Sequence, residues 1–138
     1  MTMLVALPLI AATAAAQVPA GSDRWDPVQG LICRFDSACI ERRPCFDSRV
    51  VVTVGPVAGA TDLARVDFGD GRTRIARVRQ DGIWTSLLTE PDLDHANRVE
   101  VLDFAATGKA TLVENDPGTA LGLISRTGTC APAEGAPQ

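Results

Sequence analysis

Tyrosine is absent from this 138-residue chain, histidine and lysine occur once each, and the rings are limited to four Phe and two Trp. These scarcities weigh against several classes of function. Faces that bind single-stranded nucleic acid or sugars commonly stack their ligands on several aromatic side chains, and few rings are present to build one. General binding to phosphate backbones needs a basic surface, whereas the net charge is −4 and the pI is near 4.9. No C-x-x-C occurs, which is the spacing that thiol–disulfide enzymes favour. None of Ser22, Ser37, Ser48, Ser86 or Ser125 sits in a G-x-S-x-G nucleophile elbow.

Long apolar runs are also missing. Leu4 to Ile10 form a short one, interrupted by Pro8 and followed by the Ala-rich stretch that ends at Ala14-Ala15-Ala16. An apolar core followed by small residues predicts a signal peptide over 1–16, cut before Gln17, rather than a membrane span. Its first residues depart from the usual pattern, because only the α-amino group is positive there. No cysteine lies near the cut to take a lipid. The mature chain is therefore expected to be periplasmic or secreted, a single domain without membrane insertion. Residues 17–30 are polar and punctuated by Pro19, Gly21, Pro27 and Gly30, and they read as an extended lead-in with Trp25 docking on the domain.

From residue 46 onward the texture is β. Val50 to Val54 is rich in β-branched residues and meets a breaker at Gly55-Pro56. Ala64, Val66 and Phe68 alternate with Arg65 and Asp67, as a strand with one buried face requires. Gly69-Asp70-Gly71 turns into a strand over 73–79, and Asp81-Gly82 turns into one over 83–88. A polar loop over 90–97 precedes strands at 99–104, 110–114 and 120–126, separated by Gly-containing turns. A helix over 92–104 is the competing reading, but Val99 and Val101 alternate rather than follow a 3.6-residue period. The pattern predicts an all-β domain over 31–130: a small antiparallel sandwich or partly open barrel of about seven short strands. The tail over 131–138 is expected to be disordered.

Cys33, Cys39 and Cys45 are spaced C-x5-C-x5-C, and Cys130 follows near the chain end. That spacing is too wide for a zinc knuckle, and a helix would turn successive thiols to different faces. An exported chain meets an oxidising compartment, so disulfide staples are the expected role. Four cysteines allow three pairings, which sequence alone does not separate; Cys33–Cys130 with Cys39–Cys45 is preferred. The second bond would hold Arg42 and Arg43 outward on a small loop. Between Cys33 and Cys45, Asp36 or Ser37 is positioned to cap one helical turn over 38–41, ended by Pro44.

The stretch VDFGDGRT, from Val66 to Thr73, is similar to the W-D-F-G-D-G turn of PKD-type immunoglobulin-like domains, which are extracellular β-sandwiches. The likeness covers about six residues, and Val66 stands where that family has Trp. A hairpin turn accounts for the same residues. Asp62, Asp67 and Asp70 do not match a calcium-loop spacing, and neither a metal nor another cofactor is expected. Arg72, Arg74, Arg77 and Arg79 concentrate positive charge in one hairpin arm. Alternation puts Arg72 and Arg74 on one face and Arg77 and Arg79 on the other, unless a bulge near Ala76 merges them into one basic stripe. With Arg42 and Arg43 they are the candidate binding residues, suited to an anionic protein or glycan partner in the cell envelope.

The expectation is a non-catalytic binding or inhibitor module. Small periplasmic lysozyme inhibitors show that small β scaffolds can act this way, an analogy of fold class alone. Two alternatives compete with it: a small envelope hydrolase using His95 with Asp92 or Asp94, and a purely structural envelope protein.

Overall fold

The computed structural model describes residues 30–41, 43–95, 97–117 and 122–133. The expected signal peptide, nearly all of the lead-in with Trp25, Arg42, the first two residues of the expected strand over 120–126 and the last five residues lie outside them. The described residues form eight strands joined by turns and loops: β1 (Leu31–Ile40), β2 (Phe46–Val57), β3 (Ala60–Asp67), β4 (Thr73–Asp81), β5 (Trp84–Thr89), β6 (Val99–Ala105), β7 (Lys109–Asp116) and β8 (Gly122–Pro132). Each strand pairs antiparallel with the next, and β1 pairs with β8.

The all-β class and the turns are as expected; of the two expected architectures the sandwich is not found, and the barrel is closed rather than partly open. One sheet of eight strands closes on itself as an up-and-down barrel. A period-two pattern shows that one face of a strand is buried. It does not show whether that face meets a second sheet or the far wall of its own. Eight strands leave an interior that side chains alone can fill. Phe35, Val52, Val66, Ala76, Leu87, Leu102 and Leu112 fill its middle, each at most 2% exposed.

The eighth strand is β1, where a helical turn over 38–41 was expected. Residues 31–40 are instead hydrogen-bonded to β2 on one side and β8 on the other. A bulge at Asp36 shifts the register against both neighbours. Leu31, Cys33 and Phe35 point inward before it and Ala38 after it, so the alternation changes phase in mid-strand and its signal is lost. Gly128 lies against this bulge, and a Cβ there would come within 1.9 Å of the Arg34 carbonyl oxygen. Only glycine lets β8 approach so closely.

Two boundaries also move. β2 runs past the expected break at Gly55-Pro56 to Val57, with a register shift between Pro56 and Val57, a place where a strand tolerates proline. β8 continues through Pro132, taking in the first residues of the expected tail.

Both favoured disulfides are present. Cys33 and Cys130 are direct partners across the β1–β8 seam, so their bond locks the first strand to the last inside the barrel. Cys39–Cys45 closes the loop between β1 and β2. Two such bonds suit an oxidising, extracellular-type environment. Among the described residues no helix is long and apolar enough to cross a membrane.

Candidate functional site: an arginine-walled barrel mouth

One end of the barrel holds an ionic cluster. The phase of β6 is fixed by Leu102 and Phe104 pointing inward, and counting back by two puts Glu100 inside. In β7 the phase of Ala110 and Leu112 does the same to Glu114. Their side chains are only 1% and 5% exposed. Buried carboxylates require charged or hydrogen-bonding partners, and four arginines supply them.

Arg72 reaches in from the β3–β4 turn, which is built for that purpose. Gly69 and Gly71 adopt positive φ, and the Gly69 N–H donates to Asp67 Oδ1 at 2.8 Å. The Arg72 N–H donates to Asp70 Oδ1, while its Nε donates to Asp70 Oδ2 at 2.7 Å. So held, the guanidinium lies over the Phe68 ring, 5.0 Å from its centroid. Its Nη1 donates to Glu100 Oε1 at 2.8 Å and its Nη2 to Glu114 Oε1 at 3.3 Å.

Arg74 shares the inward face of β4 with Ala76. It donates from Nη1 to Asp92 Oδ2 at 3.1 Å and to Glu100 Oε2 at 3.5 Å, and from Nη2 to the Glu90 carbonyl. Arg98 closes the group from the β5–β6 loop, with Nη2 2.8 Å from Glu114 Oε1 and Nε 3.1 Å from Glu100 Oε1. Arg126 of β8 donates from Nε to Glu114 Oε2 at 2.9 Å and from Nη1 to Ser48 Oγ at 3.4 Å. Thr89 completes Glu100: its hydroxyl donates to Oε2 at 2.7 Å and accepts from the Glu100 N–H at 2.8 Å.

The charges at the edge respond to this field. Partial burial acts to raise the Asp70 carboxyl, but the hydrogen bonds and charge of Arg72 outweigh it and hold its pKa below the ordinary 3.8. Desolvation likewise opposes the shift at Asp92, where the Asp94 N–H, the His95 ring and the Arg74 charge together hold the pKa down. Desolvation works to lower the pKa of Arg72, and Asp70, Glu114 and Glu100 more than reverse it.

Above this cluster lies an open cavity of about 460 Å³, walled by Arg49, Arg72, Arg98 and Arg126 with Asp70, Glu114 and Phe68. Its wall carries four guanidinium groups beside two carboxylates, and Arg72, Arg98 and Arg126 among them are ion-paired to Glu100 or Glu114.

The six candidate arginines are dispersed. No register shift interrupts β4 against β3 or β5, so no basic stripe forms across the hairpin arm. Arg72 and Arg74 enter the mouth. Arg77 is exposed and paired with Glu90 at 3.0 Å. Arg79 faces a separate groove on the outer wall. Arg43 is exposed on the Cys39–Cys45 loop, where its N–H donates to the Ile40 carbonyl; Arg42 lies outside the described residues. His95 is 68% exposed, with Nδ1 3.0 Å from the Asp92 carboxylate that Arg74 also uses. Among the described residues no group of three or more potential ligands is placed to hold a metal.

Glu100, Glu114, Arg98 and Arg126 were not among the sequence candidates. The phase of their neighbours was the available signal, but two valines flank Glu100 and one precedes Glu114, and they draw attention to the wrong face. Val99, Val101 and Val113 point outward and are only partly buried. No family model matches this chain, and no curated protein or solved structure matches it.

Proposed function

We propose that the mature protein is a non-catalytic binding or inhibitor module, exported to the periplasm or beyond, whose barrel mouth receives an anionic group of an envelope protein or glycan. One observation carries this reading: the cavity at the mouth is walled by Arg49, Arg72, Arg98 and Arg126 against the carboxylates of Asp70 and Glu114. Guanidinium groups held by buried partners lose little freedom on meeting a carboxylate, and their forked donors match its geometry. The scaffold suits such a role, because a closed, disulfide-locked barrel holds the site rigid. Its outer face carries Arg34, Arg65, Asp67, Arg77 and Lys109, all exposed, which is the polarity of a water-facing barrel rather than of a lipid-facing one.

The hydrolase alternative has less behind it. His95 is largely solvated, and its partner Asp92 already serves Arg74.

Calorimetric titration of the mature protein with oligogalacturonate and with poly-glutamate tests the proposal. Binding of either should weaken as salt is raised and be lost in Arg49→Glu, which reverses one charge at the rim. Absence of binding to both, or equal binding by Arg49→Glu, would overturn it.

A further inference from the structure

A second concave site lies on the outer wall, toward the end opposite the mouth. Outward-facing positions of four neighbouring strands are in register there: Arg79 opposes Ser86, Ser86 opposes Asp103, and Asp103 opposes Thr111. One step along, Asp81 opposes Trp84. The outside of a small barrel is convex, so a groove forms on it only where short side chains sit between long ones. Ser86, Asp103 and Thr111 form such a floor and are half-buried, while Arg79, Asp81 and Trp84 are exposed around it. The groove is shallow and open, with a volume of about 460 Å³.

We propose that this groove is a binding site for a neutral saccharide. Trp84 is 44% exposed, and its indole offers a flat apolar face with a polar N–H at the edge. A pyranose ring presents a matching face of C–H groups. Its rim of hydroxyls needs donors and acceptors at close range. Asp81 and Asp103 supply acceptors, Arg79 supplies a fork of donors, and Ser86 and Thr111 supply groups that do either.

The charge balance selects the class of sugar. Two carboxylates face one guanidinium, so an acidic sugar or a nucleic-acid phosphate would meet net repulsion. The polar floor is equally unsuited to an apolar peptide, whose burial there would leave Asp103 unsatisfied. From Arg79 to Thr111 the row crosses three interstrand spacings, about 14 Å, a length on the order of a short oligosaccharide. The site is independent of the mouth, shares no residue with it, and does not rest on the reading proposed for it.

The test is a heteronuclear NMR titration of the isotope-labelled mature protein with three neutral probes, N,N′-diacetylchitobiose, cellobiose and maltose, and with digalacturonate as the acidic probe. At least one neutral disaccharide should shift the Trp84 indole N–H and the amides of Ser86, Asp103 and Thr111, while digalacturonate leaves them in place. Trp84→Ala should abolish the shifts, and Asp103→Asn, which preserves shape, should weaken binding. Arg49→Glu should leave them unchanged, which separates this site from the mouth. A melting curve for each variant confirms that the barrel is folded. Unmoved Trp84 and Asp103 signals with all three neutral probes, undiminished binding by both groove variants, or preference for digalacturonate would each overturn the proposal.

Discussion

Glu100 touches Arg72, Arg74, Arg98 and Thr89 from a side chain that is 1% exposed. Removing it would leave guanidinium charge facing a truncated, partly buried site. Glu100→Ala should therefore cost about 3–5 kcal/mol of stability, the range for breaking a buried ion pair, read from urea unfolding midpoints. The exposed pair Arg77–Glu90 is the contrast, and Arg77→Ala should change stability by less than about 1 kcal/mol. Gly128 makes a steric version of the same point. Gly128→Ala must push a methyl group into the backbone of β1, an overpacking that should cost about 1–3 kcal/mol or more. Gly55→Ala, where a new Cβ meets nothing within 4 Å, should leave the thermal midpoint nearly unchanged. None of these burdens is visible in the residue types alone. A glutamate between two valines reads as the exposed member of the alternation until Leu102 and Phe104 set the phase.

Among the elements, β1 has the most to hold. It is the closing strand, bonded to β2 and β8, and it contributes to both disulfides. The two bonds differ in what they constrain. Cys33–Cys130 spans 97 positions and Cys39–Cys45 spans 6. In the chain-entropy account the long closure is worth about 4.7 kcal/mol and the short one about 2.4 kcal/mol. Replacing Cys33 and Cys130 by alanine should thus lower stability more than replacing Cys39 and Cys45, by about 2 kcal/mol in paired denaturant titrations. Equal losses would show that the seam is held by its ladder alone. The other seven strands were legible because a Gly-containing turn bounds each on at least one side and most alternate regularly over their central residues. β1 was not, because the bulge at Asp36 breaks its period and the nearby Pro44 suggests a helix end.

At the scale of the molecule, the ionic mouth ties the β3–β4 turn and the β5–β6 loop to the barrel wall through Asp70, Asp92 and their arginines. Both carboxyls have pKa values lowered from 3.8. A lowered folded-state pKa contributes stability that is present above the unfolded value and is lost as pH falls through the folded one. The thermal midpoint should therefore decline as pH falls below the ordinary carboxylate range, and Asp92→Asn should flatten part of that decline. A melting series from neutral pH down to pH ~2 measures both. An acid decline that Asp92→Asn leaves untouched would place the sensitivity elsewhere in the cluster.

Local chemistry determined a great deal from the sequence by itself. Alternation and turn residues specified an all-β domain and seven of its strands. Cysteine spacing spoke against the zinc knuckle and the dithiol site and left three disulfide pairings open, of which the preferred one is found. The tertiary structure alone decided that the sheet closes on itself, that β1 is a strand, and that Arg72 and Arg74 turn inward to buried glutamates while Arg79 faces an outer groove. The reason is physical: period and turn type are set by neighbours in sequence. Closure, the depth of a charge and the partner it meets are set by residues such as Glu100 and Glu114, 28 and 42 positions from Arg72.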